Sequence, residues 1–154
     1  MSAAEASIVD IWDRAVGALT DLGEGWRHSV FAPELELDGE EAHKTWSVEL
    51  TDMDVELDPR QRIRSDDGQH AARATTRLVV RWGWMLPVDG FAAAYRAALT
   101  EELNVAVRIM QMDTSGMLTP KLRGITRTIV GDGSWMMMTA RYDLIHPLAS
   151  EQPP

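Results

Sequence analysis

The sequence predicts an α+β fold: a mixed or antiparallel sheet packed against two helices, in the order α-β-β-α-β-β, closing on a β-hairpin. Three observations carry this. Two segments repeat apolar residues at helical spacing, one at the start and one past the middle. Several others alternate apolar and polar residues with period two, the longest being Ala72 to Leu86. Near the end, Gly131-Asp132-Gly133 separates two strand-like runs, and Asp-Gly is a favoured hairpin turn.

The first element reads as a helix from Ser2 to about Leu22. Ser2 with Glu5 has the form of a capping box. Ile8, Ile11, Trp12, Ala15, Leu19 and Leu22 make one apolar stripe, and Gly23 supplies a stop. A short strand from Trp26 to Phe31 ends before Pro33. The acidic run Glu34 to Glu41 reads as a loop or exposed edge. Trp46, Val48 and Leu50 then alternate with polar residues. The alternation slips by one place and resumes at Met53, Val55 and Leu57, which predicts a bulge near Thr51-Asp52. Asp58 to Gln69 is polar, opens with Pro59 and reads as an excursion from the sheet.

Along Ala72 to Leu86, one face presents Leu78, Val80, Trp82 and Trp84, and the other presents Arg73, Arg77 and Arg81. Pro87 to Gly90 ends this strand, with Asp89 placed as a helix N-cap. A second helix follows from Phe91 to about Asn104, its apolar face read as Phe91, Ala94, Tyr95, Ala98, Leu99 and Leu103. The β-branched alternation of Val105 to Met110 leans toward a strand. Asp113 to Gly124, with Gly116 and Pro120, reads as a second long loop. The closing hairpin runs from Ile125 to Val130 and from Ser134 to Ile145. Residues 1–148 are expected to form one domain, with 149–154 a tail.

Composition narrows the function. The chain has 154 residues and no cysteine, which excludes disulfides and thiolate zinc sites. Met1 to Glu5 lacks the pattern of a signal peptide, and no apolar run approaches a membrane span. The expectation is a soluble protein made in a reducing compartment, without membrane partners. The net charge is −9 and unevenly spread. Residues 1–58 hold 15 acidic and 3 basic side chains, net −12; residues 59–154 hold 9 and 12, net +3. An acidic total argues against sequence-specific nucleic-acid binding. A chain acidic at one end and basic at the other suits head-to-tail docking with its own copies.

No catalytic pattern stands out. His28, His43, His70 and His146 lack metal-ligand spacing. The alternate acids Asp52, Asp54, Glu56 and Asp58 have Leu57 where a calcium loop needs glycine, so they read as a wet strand face. No nucleophile elbow or phosphate cradle occurs. The expectation is a protein that is not an enzyme, with no cofactor and no metal. Two features exceed the ordinary. Six tryptophans and nine methionines include Trp135-Met136-Met137-Met138, which puts large apolar groups on both faces of one strand. Arginine supplies nearly all positive charge, and its bidentate geometry suits subunit contacts. The candidate subunit-interface residues are therefore Arg73, Arg77, Arg81, Trp135, Met137 and Arg141.

The order of elements from Thr75 to Leu148 resembles the tail-terminator proteins of long-tailed bacteriophages. The resemblance lies in the strand Arg77-Leu78-Val79-Val80-Arg81-Trp82 and the alanine-rich helix Gly90-Phe91-Ala92-Ala93-Ala94-Tyr95-Arg96-Ala97-Ala98-Leu99. It extends to the close, from Trp135 to Tyr142-Asp143-Leu144. It implies a structural virion protein at the tail–neck junction, present in the host cytoplasm during assembly. Such a subunit forms a homo-oligomeric ring, a hexamer, that caps the tail tube protein and meets the head-completion proteins of the neck connector. Under that resemblance the two long loops contact neighbouring rings through Arg60, Arg62, Arg64, Met117, Lys121 and Arg123. The alternatives are another neck protein, or a small-molecule-binding or enzymatic α+β domain with an apolar pocket.

Overall fold

The structure is a computed structural model that describes residues 8–30, 39–57, 72–113, 119–131 and 133–148. The Ser2–Glu5 capping box, the acidic stretch before Gly39, the Asp58–Gln69 excursion, Asp132 and the tail from 149 lie outside the described residues.

Five strands form one sheet in the order β1-β2-β3-β5-β4. Strand β1 is Arg27–His28, β2 Thr45–Leu57, β3 Ala72–Met85, β4 Thr119–Val130 and β5 Trp135–Leu148. All pairings are antiparallel except β1 with β2. Helix α1 spans Ile8–Leu19, α2 is the single turn Gly39–Ala42, and α3 spans Phe91–Met110. The α+β class and a closing hairpin follow the sequence reading, and β1 falls within the short strand read at Trp26 to Phe31, though it is shorter; its parallel pairing with β2 and the extra turn were not in that reading.

The core lies between the sheet and the long helices. Ile11, Ala15 and Leu19 of α1, with Ala98, Val105 and Ile109 of α3, pack on Trp46, Val48, Leu78, Val80, Trp82, Trp84, Met136, Met138, Tyr142 and Leu144. These strand residues share one face because side chains alternate along a strand. Trp12 ties α1 to the sheet by donating from Nε1 to the Val48 carbonyl at 3.0 Å. Tyr142 ties α3 in the same way, donating its hydroxyl to the Ala106 carbonyl at 3.1 Å.

Several boundaries differ from the sequence reading, each for a physical reason. Helix α1 closes at Leu19, where the Thr20 amide donates to the Gly17 carbonyl at 3.3 Å and tightens the last turn, although Leu22 is still buried. The stretch Val105 to Met110 continues α3 and is not a strand. Val105, Ala106 and Ile109 continue the buried face of Ala98 and Glu102, so tertiary burial outweighs β-branched propensity. Asp89 does not cap α3: Gly90 holds the cap position at φ 86°, without a side-chain hydrogen bond. Strand β4 begins at Thr119, so residues 119–124 are not loop. Pro120 is tolerated there because β4 is an edge strand. Strand β5 runs on to Leu148, held by β3 from Ala72 onward.

The bulge expected at Thr51-Asp52 is present, as a register shift between Leu50 and Asp52 against β3. A second interrupts β4 between Leu122 and Gly124. At the hairpin, Gly131 and Gly133 adopt φ values of 69° and 91°. Turn α2 occupies part of the acidic run read as loop or exposed edge, and lies across the face of the sheet opposite the long helices. There Ala42 packs with Trp135, Met137 and Val130. Gly83 permits this: a Cβ at that position would stand 2.3 Å from the Ala42 carbonyl oxygen.

Candidate interaction surface

The face of the sheet away from α1 and α3 carries the charged residues singled out in the sequence. On β2 it presents Glu49, Asp52 and Asp54; on β3, Arg77, Val79 and Arg81; on β5, Arg141 and Asp143; on β4, Lys121 and Arg123. The bulge after Leu50 brings two acids to one arginine. Arg77 donates to Asp52 at 2.5 Å and to Asp54 at 2.8 Å. These partners, Asp54 foremost, hold the Arg77 guanidinium above its ordinary range. Arg81 pairs with Glu49. Arg123, turned by the second bulge, meets Asp143 at 3.1 Å. Arg141 donates to the Thr126 hydroxyl at 3.1 Å, and among the described residues no carboxylate pairs with it. Arg77, Arg81, Arg123, Arg141 and Asp143 line an open depression of about 370 Å³ whose floor includes Val79.

Across this face the charge changes sign. The β2 edge is acidic and the β4 edge basic, with the arginines of β3 neutralising the acids beside them. This is the linear charge asymmetry of the sequence converted into a lateral one by strand order.

The six candidate interface residues divide. Arg77, Arg81 and Arg141 share the open face; Arg73 takes its place on β3 beside Glu56, but its side chain lies outside the description. Trp135 and Met137 lie on the same face, yet they are 4% and 8% exposed because the chain's own Ala42 turn packs over them. Of the six loop candidates, Arg60, Arg62, Arg64 and Met117 lie outside the described residues. Lys121 and Arg123 stand on β4, exposed at the sheet edge and not in a loop.

Other surface features had no clear signal in the sequence. Leu99, Leu103 and Met110 recur along α3 at helical spacing and are exposed, as is Phe91, although the sequence places Phe91, Leu99 and Leu103 on one apolar face with the buried Ala98. They lie on the side of α3 away from α1; Arg108, Gln111 and Met112 share a depression with α1's Arg14 and Gly17 on the other side. On the helix side of β2, Met53 and Val55 are exposed too. Glu102, nearly buried on α3, receives two hydrogen bonds of 2.6 Å from Arg127 of β4. This fork holds Arg127 above its ordinary range. His43 accepts a hydrogen bond at Nδ1 from the Met85 amide at 3.0 Å, and its ring meets Trp84 in a T-shaped contact.

No family model matches the chain, and no curated protein matches it. Fold and surface define an α+β sheet domain with one helix-covered face and one open, charged face between two edges of opposite sign.

Proposed function

We propose that the chain is a structural ring subunit of a phage neck, of the tail-terminator type, which caps the tail tube and joins it to the head–neck connector. The carrying observation is that, among the described residues, the sheet is open along most of both edges. Among the described residues, strand β1 pairs with β2 only at Thr45 and Trp46, and no strand covers the outer edge of β4. Long open edges are an association hazard unless something covers them. A heterologous contact that closes by rotation covers both edges of every copy at once, and that is a ring.

The role so assigned is geometric, not catalytic. One rim of the ring stops tube growth and the other receives the neck. The alternative of an apolar ligand pocket draws less support, since Trp46, Trp82 and Trp84 are packed in the core and the depression on the open face is lined by arginines. Negative-stain imaging of the purified protein at high concentration tests the proposal. Six-fold rings with a tube-sized central hole are expected; compact monomers at every concentration would overturn it.

A further inference from the structure

The two flanks of the sheet are layered alike. At the β2 flank, exposed Met53 and Val55 lie on the helix side and acids on the open side. At the β4 flank, the exposed ridge Leu103 and Met110 of α3 lies on the helix side, and Lys121 and Arg123 on the open side. Apolar matches apolar in one layer, and acid matches base in the other.

The rows of the sheet sharpen the match. Asp52 pairs with Arg77, Arg77 with Asp143, and Asp143 with Lys121, so Asp52 and Lys121 occupy one row at opposite edges. Strand β1 blocks β2 at Thr45 and Trp46, and Trp46 lies in the row of Arg127. The part of β2 that no described strand covers therefore spans the rows of the basic half of β4. Since β2, β3, β5 and β4 alternate in direction, the β4 of one copy and the β2 of the next, laid side by side in the same orientation, run antiparallel.

We propose that copies join head to tail through these edges, that length of β2 in one copy pairing antiparallel with β4 of its neighbour. This deepens the ring reading and rests on it. Lys121 and Arg123 then face Asp52 and Glu49 of the neighbour, while the ridge of Leu103 and Met110 lies along the helix side of the neighbour's β2, with Met110 at the end that carries Met53 and Val55. The contact is heterologous: each copy contributes a different surface on each side, and the backbone groups of both edges are satisfied.

The test uses Val55→Glu and Leu103→Glu, each placing a charge in the apolar layer at an exposed site, with folding checked by circular dichroism. By light scattering on a sizing column, each variant alone should fall from the wild-type oligomer to monomer. An equimolar mixture should give a species of twice the monomer mass and nothing larger, because each variant retains the surface that the other lacks. Lys121→Glu, in the charged layer, should replace Leu103→Glu in the mixture with the same result. Wild-type rings that survive these substitutions, or a mixture that stays monomeric, would overturn this interface and leave the ring reading standing. Wild-type protein monomeric under all conditions would sink both.

Discussion

At Gly83 a hydrogen atom decides whether the second face of the sheet is covered. The Ala42 carbonyl approaches so closely that a methyl group would lie 2.3 Å from its oxygen, and Lys44 donates its amide to the Gly83 carbonyl at 2.9 Å beside it. Backbone on backbone cannot yield as a flexible side chain can, so Gly83→Ala should cost about 1–3 kcal/mol, the range of overpacked sites. Urea unfolding would measure it, and Trp135 and Met137 should gain exposure to solvent as the turn lifts. Nothing in the sequence marks Gly83 as special: it stands in a strand where glycine is merely weak. Tyr142→Phe is the gentler companion. It removes one buried hydrogen bond to α3 and should cost about 1 kcal/mol by the same measurement.

The elements are fastened by groups whose charge state matters. Burial holds His43 below the ordinary histidine range, and the nearby Lys44 and Arg27 act in the same direction. The folded chain thus favours the neutral ring that accepts the Met85 amide. This stabilisation is complete above the unfolded-chain value of about 6.5 and is lost progressively as pH falls below it. His28, lowered by burial, contributes with the same sign. Urea midpoints between about pH 7.5 and 5 should therefore fall with acid, and His43→Gln, which keeps an acceptor without a titrating ring, should flatten that dependence. The clasp between α3 and β4 is Arg127 on Glu102. Arg127→Met strands a nearly buried carboxylate and should cost about 2 kcal/mol, tempered because Arg127 is itself partly open to water. Adding Glu102→Met should recover much of it. At this scale the sequence was informative wherever period two or a slip in it carried the signal, as in β2 with its bulge and in β3 and β5. It misled where tertiary contacts overrode local preference. Val105 to Met110 is helical because its apolar residues meet the sheet, and Thr119 to Gly124 is strand because β5 supplies its partner. Neither cause can be seen in the segment alone.

For the molecule as a whole, the sequence disclosed a row of charges on β3 and not where strand order would put its partners. The arginines of β3 were legible by alternation as one row. That Arg77 and Arg81 would bind β2's own acids, leaving Lys121 and Arg123 as the basic edge, depends on pairings between residues tens of positions apart. So does the exposure of Leu99 and Leu103, which belong to the apolar surface of α3 but lie beyond the width of the sheet. Under the edge-to-edge proposal this division has a consequence in salt. The charged layer lies on the open, solvated face, where screening acts over about 10 Å at 0.1 M salt and about 3 Å at 1 M. The apolar layer beneath α3 is insensitive to such screening. Raising salt toward 1 M should therefore loosen wild-type rings, shifting their midpoint of assembly to higher protein concentration without abolishing it. A Lys121→Glu/Arg123→Glu variant should show the opposite slope, because salt then screens repulsion against Asp52 and Glu49 of the neighbour. Sedimentation at several salt concentrations separates the two. Identical salt dependence in wild type and variant would mean that the basic edge of β4 takes no part in holding copies together.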